Sequence, residues 1–294
     1  MRWPSCHGSH LDGWIGVVVS LVANYDPAEY WNERVGTNAT LLDVGHYQLG
    51  AYNRIAYRFR RRALLGILRL FPPPVPAMTV FEAGFGVGFY LGIWKRLGFD
   101  NVTGADLSKA AVDKGRLAFP TFRLLHHDIV NPIPVCGDFD LVTAIDVLYH
   151  IVDDAKWEAA LANLAALVKP GGHLVLTDKF PAQQPYQTFS HVRRRPLSWY
   201  ADRLHLHGLL IRHIAPVFVL MDDPLPFGDP RWLASVSYFQ WRALTKLIRI
   251  FGFEPRIRDA VALAVASLQY PVESLALQAL RRSPNLEMVL AVKA

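Results

Sequence analysis

Val80-Phe-Glu-Ala-Gly-Phe-Gly-Val-Gly88 is the stretch on which the reading of this chain turns. An apolar run from Met78 ends in an acid, Glu82, and glycines then follow at alternate positions, Gly84, Gly86 and Gly88. Glycine tolerates positive φ and lets a ligand approach the backbone closely. The stretch therefore predicts a strand that passes through a ligand-holding turn into a helix. Its spacing speaks against a dinucleotide, because the pyrophosphate fingerprint G-x-G-x-x-G places its third glycine one residue later, where Phe89 stands. Glu82, ahead of the glycines, would repel a diphosphate and attract an ammonium group.

Reading outward, Val102-Thr-Gly-Ala-Asp106 is a second apolar run ending in an acid, about twenty residues past the loop. A carboxylate there can accept hydrogen bonds from both hydroxyls of a ribose. Helical and strand-like segments go on alternating, with helices over 90–97, 109–118 and 154–168 and strands over 121–125, 139–145 and 173–177. Lys169-Pro-Gly-Gly172 marks a sharp stop and restart. This rhythm predicts an α/β fold, a mostly parallel, Rossmann-like sheet with helices on both faces.

The flanks carry their own signals. Residues 26–71 read as helical until Pro72-Pro-Pro-Val-Pro76 stops them, since proline has no amide donor and a fixed φ. After Phe180 a helix is expected over 196–206 and a strand over 209–221. Pro224, Pro226 and Pro230 mark a loop, and Trp241, Leu244, Ile248 and Phe251 form one helical stripe. Further helix follows over 259–270 and past Pro271 to 280, and residues 286–292 close the chain as a strand. The organisation expected is a leader or poorly ordered segment over 1–25, an N-terminal helical cap over 26–76, and a main domain over 77–294 with a helical insertion at about 222–283.

Composition narrows the classes. With 52% hydrophobic and 19% charged residues, the chain is too apolar for disorder. Cys6 and Cys136 are its only cysteines and lie far apart, which predicts neither a disulfide framework nor a zinc site and suits a reducing, cytoplasmic setting. No uncharged apolar stretch reaches the roughly 20 residues that a membrane-crossing helix needs. Net charge is +6, and the basic runs Arg58-Phe-Arg60-Arg61-Arg62 and Arg193-Arg194-Arg195 read as solvated faces, so nucleic acid is not the expected partner.

Taken in order, Val80 to Gly88, Gly104-Ala-Asp-Leu-Ser108, His127-Asp-Ile129, Phe139-Asp-Leu-Val142, Asp146-Val-Leu-Tyr-His-Ile151 and Leu167-Val-Lys-Pro-Gly-Gly172 resemble successive motifs of the class I S-adenosylmethionine-dependent methyltransferases. The resemblance covers about residues 78–180 and implies a seven-stranded sheet and S-adenosyl-L-methionine as cofactor, whose ammonium group suits Glu82. It also implies that Gly84 and Gly86, with Phe85 between them, lie under the methionine and ribose parts, that Asp106 holds the ribose and that Leu107 packs on the adenine. Asp128 would accept from the adenine amine, Ile129 would supply a backbone contact, and Ile145 would sit beside the methionine moiety. The family's last two strands form an antiparallel hairpin; here residues 209–221 and 286–292 are separated by some sixty residues, which departs from that pattern.

Methyl transfer needs an aligned nucleophile, and a base only where the acceptor must lose a proton. His150 and its neighbour Tyr149 follow the fourth strand, where the methyl should emerge, and are the catalytic candidates, with a packing role for each as the alternative. No metal site is expected. His205, His207 and His213 lack a shared face, and Asp153-Asp154 reads as a helix start. Aromatic residues before the loop, Tyr25, Tyr30, Trp31, Tyr47, Tyr52 and Tyr57, divide between a cap over the pocket and core packing.

The expected function is methyl transfer to a small-molecule or lipid-like acceptor, as in natural product biosynthesis. Oxygen is favoured as the acceptor atom because Asp146-Val-Leu-Tyr149 stands where amine methylation would place Asn/Asp-Pro-Pro-Tyr. An RNA or protein methyltransferase, a nucleoside-binding protein without turnover and a nicotinamide oxidoreductase are the alternatives. The apolar insertion makes a homodimer through that region one expectation.

Overall fold

The structure is a computed structural model that describes residues 25–36, 39–41, 49–72, 75–225, 231–251 and 254–294. The expected leader up to residue 24, together with Cys6, Tyr47, Pro226 and Pro230, lies outside the described residues. Among the described residues, α1 (Pro27–Arg34) and α2 (Tyr52–Leu68) precede the glycine stretch. Strands and helices then alternate as β1 (Val80–Ala83), α3 (Phe89–Arg96), β2 (Val102–Asp106), α4 (Lys109–Ala118), β3 (Arg123–His126), β4 (Phe139–Ala144), α5 (Asp154–Leu167) and β5 (Val168–Lys179). The second half holds β6 (Tyr186–Phe189), β7 (Val192–Arg194), α6 (Leu197–Leu206), β8 (Leu209–Pro216), α7 (Arg231–Phe251), α8 (Pro255–Ala279) and β9 (Leu286–Lys293).

Seven strands form one sheet in the order β3-β2-β1-β4-β5-β9-β8. Neighbours from β3 through β5 run parallel, while β9 is antiparallel to both β5 and β8. The hairpin-like end of the sheet therefore survives the long separation in sequence, because α7 and α8 fit between β8 and β9 without displacing either strand. Two apolar layers cover the sheet. One gathers Ile55, Phe59 and Leu64 of α2, Leu91 and Trp94 of α3, Val112 of α4, Trp241 and Ile248 of α7, and Ala262 and Val265 of α8. The other gathers α5 and α6 through Trp157, Leu161, Leu164, Tyr200 and Leu204. Trp157, Ala160, Leu161, Leu164 and Ala165 recur at helical spacing and are all buried, and each fully buried leucine contributes roughly 1.5–3 kcal/mol.

Two expectations differ from the structure. The helix expected over 26–71 is interrupted: among the described residues α1 ends at Arg34 and α2 begins at Tyr52, with Gly50 and Ala51 leading into it. The strand expected over 209–221 ends at Pro216, beyond which the amides of Val217 and Phe218 both turn back to the Leu286 carbonyl. The helix expected past Pro271 begins at Pro255 and runs through Pro271 unbroken, as the sequence suggested. Ser267, four residues earlier, is exposed, so water can satisfy the carbonyl that proline leaves unpaired. The short hairpin β6–β7 was not anticipated.

Candidate functional site

The strand order reverses around β1, which has β2 on one side and β4 on the other, and ligands of open α/β sheets bind at the carboxyl ends of the strands at such a point. A cavity of about 1530 Å³ opens there. A single ligand site typically takes roughly 300–1,000 Å³, so this one has room for a cofactor and an acceptor together. Gly84, Phe85, Gly86, Asp106, Leu107, Asp128, Ile129, Ile145, Tyr149 and His150 all line it.

The glycine turn is built as its sequence requires. Gly84 and Gly86 have φ of +65° and +51°, in the left-handed region that side chains disfavour. A Cβ on Gly84 would stand 2.5 Å from Val147 Cγ2, whereas one on Gly86 would meet nothing within 4 Å and would project into open space. Asp106 Oδ2 accepts from the Gly86 amide at 2.7 Å and Oδ1 from the Ser108 amide at 2.8 Å. This ties the end of β2 to the loop after β1. Burial raises the Asp106 pKa, and the two amides counter it. Each carboxylate oxygen keeps a lone pair for a ligand hydroxyl.

Glu82 is the one proposed binding residue that does not line the cavity. It sits within the paired part of β1, so its side chain leaves the sheet face rather than the strand end. Oε2 accepts from Trp94 Nε1 at 2.8 Å and from Thr143 Oγ1 at 2.6 Å, while the buried Oε1 has no hydrogen-bond partner. Burial pushes its pKa up to about 7, against both of those donors.

Opposite the glycine turn, His150 Nδ1 lies 2.9 Å from the carbonyl oxygen of His191. A carbonyl only accepts, so Nδ1 carries the proton and Nε2 is left as the basic nitrogen. Burial holds the ring's pKa well below 6.5, and the His191 carbonyl only partly offsets this. Trp31 meets the His150 ring edge-on at 4.6 Å, and His191 stacks on it at 5.7 Å. Tyr149 faces the Arg194 guanidinium, 3.6 Å above its ring, and burial keeps its pKa well above 10.

Two segments that are distant in sequence cover the cavity. Helix α1 contributes Tyr30, Trp31 and Arg34, and the β6–β7 hairpin contributes Phe189 and His191. They clasp each other where Tyr30 Oη meets His191 Nε2 at 3.3 Å, with the rings stacked at 4.8 Å. Asn32 anchors α1 from behind, its Oδ1 accepting from the Ala110 amide at 3.0 Å and from Ser108 Oγ at 3.2 Å. Of the aromatic residues expected as a cap, Tyr25, Tyr30, Trp31 and Tyr57 line the cavity. Tyr52 instead packs in the core against Trp241 at 5.4 Å.

The basic runs were misread in part. Arg60, Arg194 and Arg195 are buried rather than solvated. Arg60 donates to Asp146 at 2.7 Å and lies 3.6 Å from Asp222, and Lys179 lies 3.5 Å from the other oxygen of Asp222. Asp146 and Asp222 adopt φ of +61° and +70°, unusual for non-glycine residues and of the kind found at functional sites. Arg194 pairs with Asp178 at 2.8 Å, and Arg195 with Asp154, whose neighbour Asp153 caps α5 as the sequence suggested. Arg60, Asp146, Lys179, Arg194 and Asp222 share the cavity wall, and nothing in their local sequence signals it.

A family model described as a methyltransferase domain matches residues 54–256. The chain belongs to the class I S-adenosylmethionine-dependent methyltransferases, and S-adenosyl-L-methionine is its cofactor. Within that family, it is 32% identical over 104 residues to the ubiquinone biosynthesis O-methyltransferase of Thiobacillus denitrificans, a match covering 34% of this chain and 43% of that enzyme. It is also 31% identical over 119 residues to a polyketide synthase–nonribosomal peptide synthetase of Phaeosphaeria nodorum, covering 35% of this chain and 3% of that protein. The matched stretch thus spans less than half of either curated relative. Among solved structures, the fold is shared with the N-methyltransferase NodS of Bradyrhizobium japonicum in complex with S-adenosylhomocysteine, at 12% identity and a TM-score of 0.51 over 91% of this chain and 99% of that one. The magnesium protoporphyrin IX methyltransferase of Synechocystis with bound S-adenosylmethionine shares it at 15% identity and a TM-score of 0.50, over 98% and 100% of the two chains.

The residues present suit this cofactor. Gly86 leaves free the space a side chain would fill, Asp106 offers acceptors at the wall, and Tyr90, also in the wall, has a buried hydroxyl with no partner.

Proposed function

We propose that this methyltransferase modifies an oxygen of a small-molecule or lipid-like acceptor, with His150 as the base. The observation that carries the reading is the His150–His191 contact, which fixes the proton on Nδ1 and leaves Nε2 as the basic nitrogen of a residue lining a cavity roomy enough for a second ligand. S-adenosylmethionine, when bound, supplies an electrophilic methyl group on a sulfonium. Asp106 would hold the ribose hydroxyls, Gly84, Phe85 and Gly86 would form the floor beneath the methionine and ribose, and Leu107, Asp128 and Ile129 would contact the adenine. Ile145 would flank the methionine, while Glu82, held by Trp94 and Thr143 outside the cavity wall, would not touch it. His150 Nε2 would take the proton that the acceptor hydroxyl sheds as its oxygen gains the methyl, with the sulfonium leaving as the neutral thioether. Tyr149, kept protonated by burial, orients the acceptor as a hydrogen-bond donor rather than as a base.

Trp31, Tyr30 and His191 exclude water above the reacting groups. Buried pairing of Arg60, Arg194 and Arg195 removes them from any phosphate-binding face, which supports a small acceptor over RNA. The partial likeness to an O-methyltransferase points to oxygen, and that to a polyketide synthase to natural product biosynthesis.

The test is a radiolabelled methyl-transfer screen over phenols, catechols, carboxylic acids and amines, run with wild type and His150→Gln. Label should enter oxygen acceptors, and the variant should lose roughly 10²–10⁴ in kcat with unchanged S-adenosylhomocysteine affinity. Turnover of amines alone, or full kcat in the variant, would overturn the assignment. Because the His150 pKa is depressed, its basic form prevails at neutral pH, and the acid limb of kcat/KM should fall below pH 6.5.

A further inference from the structure

We infer that the helical hairpin of α7 and α8 docks this enzyme on an anionic lipid bilayer surface. The two helices are joined side to side by Gln269 Nε2 donating to Gln240 Oε1 at 2.9 Å, and they bury Trp241, Ile248, Ala262 and Val265 against the domain. Their outer faces are left apolar. On α7, Trp232, Val236, Phe239, Leu247 and Ile250 recur at intervals of four, three, eight and three residues, which keeps them on one helical stripe, and Trp232 and Phe239 are 68% and 70% exposed. On α8, Ile257, Leu268, Val272 and Leu275 form a second stripe, with Leu268 76% and Leu275 67% exposed.

Charge selects the occupant. Helix α7 contains no acidic residue, and its Arg231, Arg242 and Lys246 are exposed, so apolar surface and positive charge share one helix. This is the composition of a helix that lies in a membrane interface, where tryptophan and phenylalanine enter the headgroup boundary and cations meet anionic lipids. A second copy fits less well, because a two-fold interface through α7 would bring the same cations together. Arg256–Ala279 is long and apolar enough to cross a bilayer, with 22% of its apolar window buried, but it is held against the domain. Glu273 accepts the amides of Val219, Leu220 and Met221 at 2.5, 2.8 and 3.0 Å, so α8 offers its outer face rather than its length. Tyr238, Arg242 and Lys246 of α7 also line the cavity, which places the docking face beside the cavity wall.

The experiment is sedimentation of the full chain with vesicles of phosphatidylcholine alone and of phosphatidylcholine with phosphatidylglycerol, at low and high salt, alongside light scattering without lipid. Binding is expected to the anionic vesicles, at least tenfold weaker on neutral ones, and weakened by salt. Phe239→Asp with Leu268→Asp should lower it at least tenfold. Both side chains lie outside the cavity, so S-adenosylhomocysteine affinity should hold and serve as the check on folding. Equal binding to both vesicle types, no binding to either, or a dimer that these substitutions dissociate would overturn the proposal. None of these readouts depends on the acceptor.

Discussion

Gly84 and Gly86 share a left-handed backbone but differ in what lies beyond the missing Cβ, and that difference separates folding from binding. Gly86→Ala places an L-residue at φ +51°, which costs roughly 1–2 kcal/mol, and its methyl meets no protein atom within 4 Å. The protein should fold with a small loss of stability, while the methyl occupies the space assigned to the cofactor. Gly84→Ala adds to the same backbone cost a Cβ 2.5 Å from Val147 Cγ2, and overpacking of this kind costs about 1–3 kcal/mol more. The stability loss should therefore be roughly 1–2 kcal/mol at Gly86 and 2–5 kcal/mol at Gly84. Urea denaturation reads the first quantity and calorimetric titration with S-adenosylhomocysteine the second. Gly86→Ala should weaken binding at least tenfold despite its milder effect on folding. Wild-type affinity in a folded Gly86→Ala would refute the placement of the cofactor over this turn.

Further outcomes follow from the buried charges. Glu82 has a folded pKa of about 7 against 4.5 unfolded, so its contribution is full below pH 4.5 and is lost as pH rises through 7, an amount of about 3 kcal/mol. Glu82→Gln should remove that decline, so that denaturation midpoints at pH 5.5 and 8.5 lie closer together than in wild type; an unchanged gap would contradict the assignment. Arg60→Ala leaves Asp146 without its buried cation and Asp222 with Lys179, and should cost about 3–5 kcal/mol in thermal or urea unfolding, with near-wild-type stability as the contrary result. Asn32→Ala removes the acceptor that holds α1 to the start of α4. It should raise the KM for the acceptor with little change in global stability; an unaltered KM would mean that α1 does not cover the acceptor.

The parts of the fold that could be read from sequence are those whose signals are local. Strands β1, β2 and β4 are short apolar runs ended by turn residues, and Ser108 and Asp153 announce α4 and α5 as caps, each accepting an amide within its own first turn. The glycine-turn side of the cavity was legible for the same reason, since Gly86 and Asp106 sit in motifs that their own neighbours define. The opposite wall was not. Arg60 lies in a basic run of α2, Asp146 after β4 and Asp222 beyond β8, and only the folded chain brings them together. His191 sits between two strands of four and three residues that are too short and polar to show a period, yet its carbonyl sets the tautomer of His150. Glu82 was seen as an acid beside a ligand, but the pairing of β1 on both sides turns it toward Trp94 and Thr143 instead.

Calorimetric titration of S-adenosylhomocysteine into wild type and Asp106→Ala decides whether the cofactor occupies this cavity. Asp106 lines the cavity at the end of β2 with both oxygens held by amides of the same site. Wild type should bind, and the variant should lose roughly 1.5–3 kcal/mol of affinity, the worth of hydrogen bonds to a charged group. Equal affinity in the two proteins would contradict the site.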